Sequence, residues 1–197
     1  MTQRVEESLF ARLTTLGSRD WSANDTFRSR LEPAEVGAIA GVLGRLVTLP
    51  FREMIGRNAL SFATSTGLRY PTSESEAEEL AASGTAILQK LEGFAPILGR
   101  LSRRLESRLH SHATIAAYVS TGSSESIGRH VDEWDNIVIQ VSGVKVFHFL
   151  TRSERLDAGD VLTIPQGLHH EVETEDASVH LSVVLLRRRW MQDHNLA

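Results

Sequence analysis

The chain contains no cysteine. That excludes a disulfide framework and thiolate metal ligands, so any metal site must be built from His, Asp and Glu. No apolar run approaches the roughly 20 residues that cross a bilayer as a helix. The N-terminus, Met1-Thr2-Gln3-Arg4-Val5-Glu6-Glu7, is polar and acidic and lacks the apolar stretch of a signal peptide. A cytoplasmic location and no membrane partner are therefore expected. Positive charge is not in excess either. The formal net charge is -4, which gives no footprint for nucleic acid, and the run Arg187-Arg188-Arg189 reads as a solvated strand end. Aromatics make up only 6% and prolines number 5, while hydrophobic residues reach 41% of 197. That is an ordinary globular balance in a chain long enough to bury a core without staples.

The pattern changes character near residue 113. Before it, apolar residues recur at helical spacing. Leu9, Phe10, Leu13 and Leu16 share one face ahead of Gly17, and Val36, Ile39, Ala40, Leu43 and Leu46 follow Pro33 and end before Pro50. Residues 51–63 are mixed and leave room for a strand, and Gly67 to Pro71 reads as a turn. The serines and acids from Ser73 to Glu79 read as a helix start. Helix is expected from there to about His110, divided at Pro96.

After residue 113 the expectation is strands: 114–119, 135–141, 144–150, 160–164, 171–174 and 179–186. Ser142-Gly143 and Asp157-Ala158-Gly159 are turns among them. Closely spaced strands of this kind predict a sandwich or barrel. The reading is an α+β chain, with a mainly helical region over 1–112 packed on a β-barrel over 113–197, together one structural domain.

His130-Val131-Asp132 follows a Gly/Ser-rich loop, Ser120 to Ser126. On a strand, residues two apart face the same way, so this imidazole and carboxylate can meet one ion. A pair with this spacing is nonetheless expected by chance in a chain with 8 histidines and 25 acidic residues, and His169-His170-Glu171 is a competitor. The downstream context decides the matter. Gly159-Asp160-Val161-Leu162-Thr163-Ile164-Pro165-Gln166-Gly167-Leu168-His169-His170 places a strand between two glycine turns and returns a histidine. The spacing of Gly159, Pro165, Gly167 and His170 resembles the second motif of the cupins, and it selects His170 over His169. Adjacent strand residues face opposite ways, so both cannot be ligands. Two histidines and one carboxylate with open positions form the facial triad of non-haem iron(II) oxygenases.

Residues 114–186 as a whole resemble the JmjC-type, cupin-like 2-oxoglutarate/iron(II) oxygenases. The stretch from His130-Val131-Asp132 through Asn136-Ile137-Val138-Ile139-Gln140 to Ser142-Gly143-Val144-Lys145 carries the resemblance. It implies a double-stranded β-helix (cupin or jelly-roll) core. It implies iron(II) held by His130, Asp132 and His170, with 2-oxoglutarate as co-substrate. Lys145, fifteen residues after His130, is implied as the partner of the distal carboxylate, with Asn136 and Tyr118 assisting. The implied reaction, with dioxygen, hydroxylates an unactivated C–H of an amino acid, a peptide or a related biosynthetic intermediate. Ile127 departs from the pattern, since some relatives carry Thr three residues before the first ligand.

Two alternatives stay open: a metallocupin of another class, such as an isomerase or a 2-oxoglutarate-independent dioxygenase, and a non-catalytic binding cupin. A small-molecule or peptide partner is expected, and a homodimer stays open. His148 and His180 read as packing or surface residues, His110, His112 and His194 carry no spacing signal, and Trp134 stands either at the substrate pocket or over the barrel mouth.

Overall fold

The computed structural model describes residues 2–19, 21, 25–122 and 124–187. Arg188, Arg189, His194 and Ser123 lie outside them. Helix α1 spans Gln3–Gly17, α2 Pro33–Leu46, α3 Phe51–Gly56, α4 Glu74–Ala81 and α5 Pro96–Leu109. The strands are β1 (Arg28–Arg30), β2 (Leu60–Thr64), β3 (Gly67–Arg69), β4 (Thr85–Leu88), β5 (Ser111–Ser120), β6 (Asp135–Ser142), β7 (Lys145–Phe149), β8 (Ser153–Leu156), β9 (Asp160–Ile164), β10 (His170–Thr174) and β11 (Ser178–Arg187).

Local chemistry accounts for the helices. In α1, Leu9, Leu13 and Leu16 are buried, a spacing of three and four that lines one face. Pro33 opens α2, and its capping box pairs Glu32 and Glu35 reciprocally. The Ser73 hydroxyl accepts from the Glu76 amide at the start of α4. In α5, Leu98, Leu101 and Leu105 face the core while its arginines stay on the outside.

Two antiparallel sheets form the body. The larger has the order β1-β9-β6-β11-β5-β4-β2-β3 and the smaller β10-β7-β8. One face of the larger sheet packs on the helices, where Ile137, Ile139, Leu181, Val183 and Ile115 meet Leu9, Leu13 and Leu105. Its other face looks across at the smaller sheet, where Val138, Leu162 and Ile164 meet Phe147, Phe149 and Leu156. Being covered on both faces makes β6 an almost unbroken buried run. This is the jelly-roll arrangement, with helices gathered at the N-terminal side.

The region before residue 113 is less helical than its periodicity suggests. Phe51–Gly56 forms α3, and only Leu60–Thr64 of that mixed stretch forms a strand. Gly67–Arg69, expected as a turn, pairs with β2. Thr85–Leu88, expected as helix, lies between β2 and β5. Four residues are too few to show a period, and tertiary pairing overrides the helical surroundings. Strands β2, β3 and β4 thus extend the larger sheet on one side, and β1 caps its other edge through ion pairs from Arg28 (2.7 Å) and Arg30 (2.8 Å) to buried Asp160. Strand β8, also unanticipated, alternates in burial, but its sequence Ser-Glu-Arg-Leu puts only one apolar residue, Leu156, on the inward side.

The β6–β7 turn depends on Gly143. Its φ is +65°, and a Cβ there would stand 2.2 Å from the Ala177 carbonyl oxygen. Gly143→Ala is therefore expected to lower unfolding free energy by roughly 2–4 kcal/mol. Urea denaturation checks this, and a loss below about 0.5 kcal/mol would contradict the turn as described.

Candidate metal centre

Strand β9 ends at Ile164, and Pro165 closes its pairing. The chain then turns through Gly167, whose φ of +79° suits glycine, and re-enters the barrel at His170. Two contacts fix this turn to the segment that follows His130. The Gly167 amide donates to the Asp132 carbonyl at 2.9 Å, and the Gln166 amide donates to the buried Asp135 carboxylate at 2.9 Å. The other oxygen of Asp135 pairs with Arg187. His130 and His170 then face each other in an isolated antiparallel bridge, each amide donating to the other's carbonyl at 2.9 Å.

His130 was expected on a strand with Asp132. It sits instead in that single bridge, and Asp132 lies in the loop before β6. Convergence is achieved all the same. His130 Nε2 stands 3.8 Å from Asp132 Oδ1, and His170 Nε2 3.8 Å from Asp132 Oδ2. One donor atom from each residue lies within 4.8 Å of the others. These separations are too long for hydrogen bonds, so the three groups share a focus without being satisfied by one another. His169 is exposed and His170 buried, as alternation requires.

The tautomers are set by the backbone. His130 Nδ1 lies 2.9 Å from the Gly128 carbonyl, and His170 Nδ1 2.9 Å from the Leu168 carbonyl. A carbonyl can only accept, so each Nδ1 carries the hydrogen. In the neutral rings, both Nε2 lone pairs then face Asp132, the arrangement metal-ligating histidines use. Burial pushes the His170 pKa below its ordinary value, outweighing the opposing pull of the Leu168 carbonyl and the Asp132 charge. A buried ring kept neutral is ready to donate its lone pair. The donor set is two imidazoles and one carboxylate, which suits a first-row divalent metal.

Lys145 lies deeper, on the inner face of β7, and is 2% exposed. Its ammonium donates to Ser120 Oγ at 2.8 Å and to Thr174 Oγ1 at 3.0 Å. No carboxylate pairs with it among the described residues. Burial pulls its pKa from 10.5 down to about 8. Tyr118 is half-buried on β5, and its hydroxyl pKa is raised by burial first and by the Asp132 charge second. Asn136 is buried on β6, where its amide oxygen accepts from Ser182.

His180 was read as a packing or surface residue. The structure puts it inside the barrel, stacked on Tyr118 at 4.5 Å between ring centroids, with a buried Nδ1 that has no hydrogen-bond partner. Burial and the Lys145 charge push its pKa well down. Ser178 Oγ, on the same face of β11, is likewise buried and unpartnered. Only the cross-strand register of His180 with Gln140 and Tyr118 reveals this face, and spacing within one segment cannot supply it.

A two-sheet jelly roll carrying a His-Asp-His cluster at one mouth and a buried lysine within defines a cupin-like class. A family model described as the JmjC domain matches residues 88–154 and 148–193. These cover more than half of the chain, which belongs to the JmjC domain family. No curated protein matches it in sequence. Among solved structures it is similar to YcfD, a ribosomal oxygenase from Escherichia coli, at 18% identity and a TM-score of 0.56, over 89% of this chain and 51% of that one. A structure of YcfD in complex with cobalt and 2-oxoglutarate matches at 16% identity and a TM-score of 0.56, over 90% of this chain and 55% of that one. At these identities the likeness concerns the fold, and the chain spans about half the length of those proteins.

The Lys145 environment has a measurable signature. The folded protein holds that proton less tightly than the unfolded chain, so folding stability rises as pH moves from about 8 toward 10.5. Lys145→Met is expected to remove this rise. Urea unfolding of both proteins across that interval tests it, and parallel pH curves would contradict a buried, carboxylate-free ammonium.

Proposed function

We propose that the protein is an iron(II)- and 2-oxoglutarate-dependent oxygenase that hydroxylates an unactivated C–H bond of an amino acid, a peptide or a related intermediate. The observation that carries the reading is the pairing of two incomplete sites in one barrel. Three ligand atoms converge without satisfying one another, and a buried ammonium beyond them has no carboxylate. A dicarboxylate completes both, with one end at the metal and the other on Lys145. The solved YcfD complex with cobalt and 2-oxoglutarate supports this reading by analogy of fold.

His130, Asp132 and His170 would hold the metal. When bound, iron(II) with 2-oxoglutarate and dioxygen supplies an oxidant strong enough for C–H cleavage, and the co-substrate leaves as succinate and carbon dioxide. The chain's own contribution is placement. The Gly128 and Leu168 carbonyls fix both imidazole rings. Ser120 and Thr174 aim the Lys145 ammonium, which is the charge a distal carboxylate needs and which such a ligand would hold protonated. Tyr118 stacks on His180, and Phe147 meets the His180 ring edge-on, so aromatic rings pack against one another inside the barrel. A carboxylate at Asp132 occupies the position that a halide takes in related halogenases, which disfavours halogenation.

Anaerobic addition of iron(II) and then 2-oxoglutarate is expected to give a weak visible charge-transfer band, with succinate released on admitting air. Lys145→Ala should weaken 2-oxoglutarate binding by about tenfold or more, the loss of a charge-assisted hydrogen bond. Iron uptake without band or succinate would favour a metallocupin of another class, and no iron uptake would overturn any metal-dependent reading.

A further inference from the structure

The outer face of the smaller sheet carries a second cluster of reactive groups. Side chains of β7 alternate, so Lys145, Phe147 and Phe149 turn into the barrel while His148 turns out. The Phe149 amide donates to the Arg152 carbonyl at 2.8 Å, which makes these two the hydrogen-bonded pair that closes the β7–β8 hairpin. The next pair, His148 and Ser153, is therefore the one without mutual backbone bonds, in which side chains approach most closely. On the other flank, Glu173 of β10 stands opposite Val146 and is a diagonal neighbour of His148 on the same face.

These registers join three side chains that the metal centre does not use. His148 Nδ1 lies 2.8 Å from Ser153 Oγ, and His148 Nε2 lies 2.9 Å from Glu173 Oε2. A carboxylate only accepts, so in the neutral ring Nε2 carries the hydrogen and the Nδ1 lone pair accepts from the Ser153 hydroxyl. Acid, imidazole and hydroxyl thus stand in the order that activates a serine for attack on a carbonyl. The ring presents Nδ1 to the hydroxyl, and the proton transfer is the same in either orientation. Ser153 is exposed, and Leu150 at the hairpin tip is 68% exposed. Strand β8 is the outer strand of its sheet. The Ser153 amide points away from β7 toward that open edge, where it can donate to a developing oxyanion. On the β10 side, a groove of about 440 Å³ borders His148 and Glu173.

We propose that Ser153, His148 and Glu173 form a second active site, an acyl-transfer centre on the outer face of the smaller sheet that cleaves short, unhindered carboxylic esters. Ser153 Oγ bonds to the ester carbonyl carbon as its proton passes to His148 Nδ1. The carbon–oxygen bond to the alcohol then breaks, and the alcohol leaves with that proton. Water repeats the two steps on the acyl-serine, giving its proton to His148, and the acid departs as Ser153 recovers its hydrogen. Ester and water become acid and alcohol, with no change of oxidation state. Glu173 holds the ring in the tautomer that accepts and stabilises the imidazolium between steps. The open face sets no wall around Ser153, so small acyl groups are favoured, with Leu150 as the nearby apolar contact. This activity is separate from the oxygenase reading, because the cluster faces away from the barrel interior.

Hydrolysis of p-nitrophenyl acetate by the full chain, with and without iron(II), tests the proposal. An exposed histidine alone also cleaves this ester slowly, so the deciding comparison is Ser153→Ala. The wild type is expected to release p-nitrophenolate about tenfold or more faster than Ser153→Ala and His148→Gln, at the same rate with or without iron. Glu173→Gln should fall between them. Peptide mass mapping should find the acetyl group, and a fluorophosphonate label, on Ser153 of the wild type, and His148→Gln should lose both. Equal rates in the wild type and Ser153→Ala, an unchanged rate in Glu173→Gln, labelling of Ser153 that persists in His148→Gln, or hydrolysis that requires iron would each overturn the proposal. None of these results bears on the iron and 2-oxoglutarate chemistry, which has its own readout in succinate.

Discussion

Two hydrogen bonds between His130 and His170 hold the centre of this structure together. They are the only ladder rungs joining the loop after β5 to β10 among the described residues, and they set two imidazoles side by side at 4.4 Å between ring centroids. The rest of the site depends on this rung. The Gly167 amide reaches Asp132 and the Gln166 amide reaches Asp135, so these contacts and the rung together hold the β9–β10 turn against the segment that follows His130. Asp132 needs no strand of its own. It is placed by being two residues beyond a fixed one and by lending its carbonyl to the turn that delivers the third donor.

The same economy explains why the ladder stops after one rung. The carbonyl that would continue it, on Gly128, instead fixes the hydrogen of His130 on Nδ1. Orienting a ligand and pairing a strand compete here for one acceptor, and orientation wins. The outcome is an ordered donor set with an unfinished edge beside it. Behind it, the inner face of the barrel holds polar atoms left over from folding: the Lys145 ammonium without a carboxylate, and the unpartnered His180 Nδ1 and Ser178 Oγ. Burying such groups costs stability unless something pairs with them.

Much of this was legible in the sequence where a motif spans a few residues. Pro165-x-Gly167-x-x-His170 encodes a strand end, a turn and a return, and the turn forms as its residues dictate. The alternation that favours His170 over His169 appears as burial against exposure. Helix starts at Pro33 and Ser73 were readable from local capping chemistry. What escaped was set by partners far along the chain. Thr85–Leu88 is a strand because β2 and β5 flank it, and His180 faces the cavity because of its register with Tyr118 and Gln140. Lys145 sits just past a turn, so its side could not be deduced from phase alone. The backbone places it inward.

The central claim is a metal centre made by His130, Asp132 and His170, and X-ray absorption at the iron edge tests it most directly. The anaerobic iron(II) protein is expected to show nitrogen and oxygen neighbours only, with the outer-shell scattering of two imidazoles. His130→Ala and His170→Ala should each remove one imidazole contribution. A wild-type spectrum with no imidazole scattering, or one unchanged in both variants, would contradict the account.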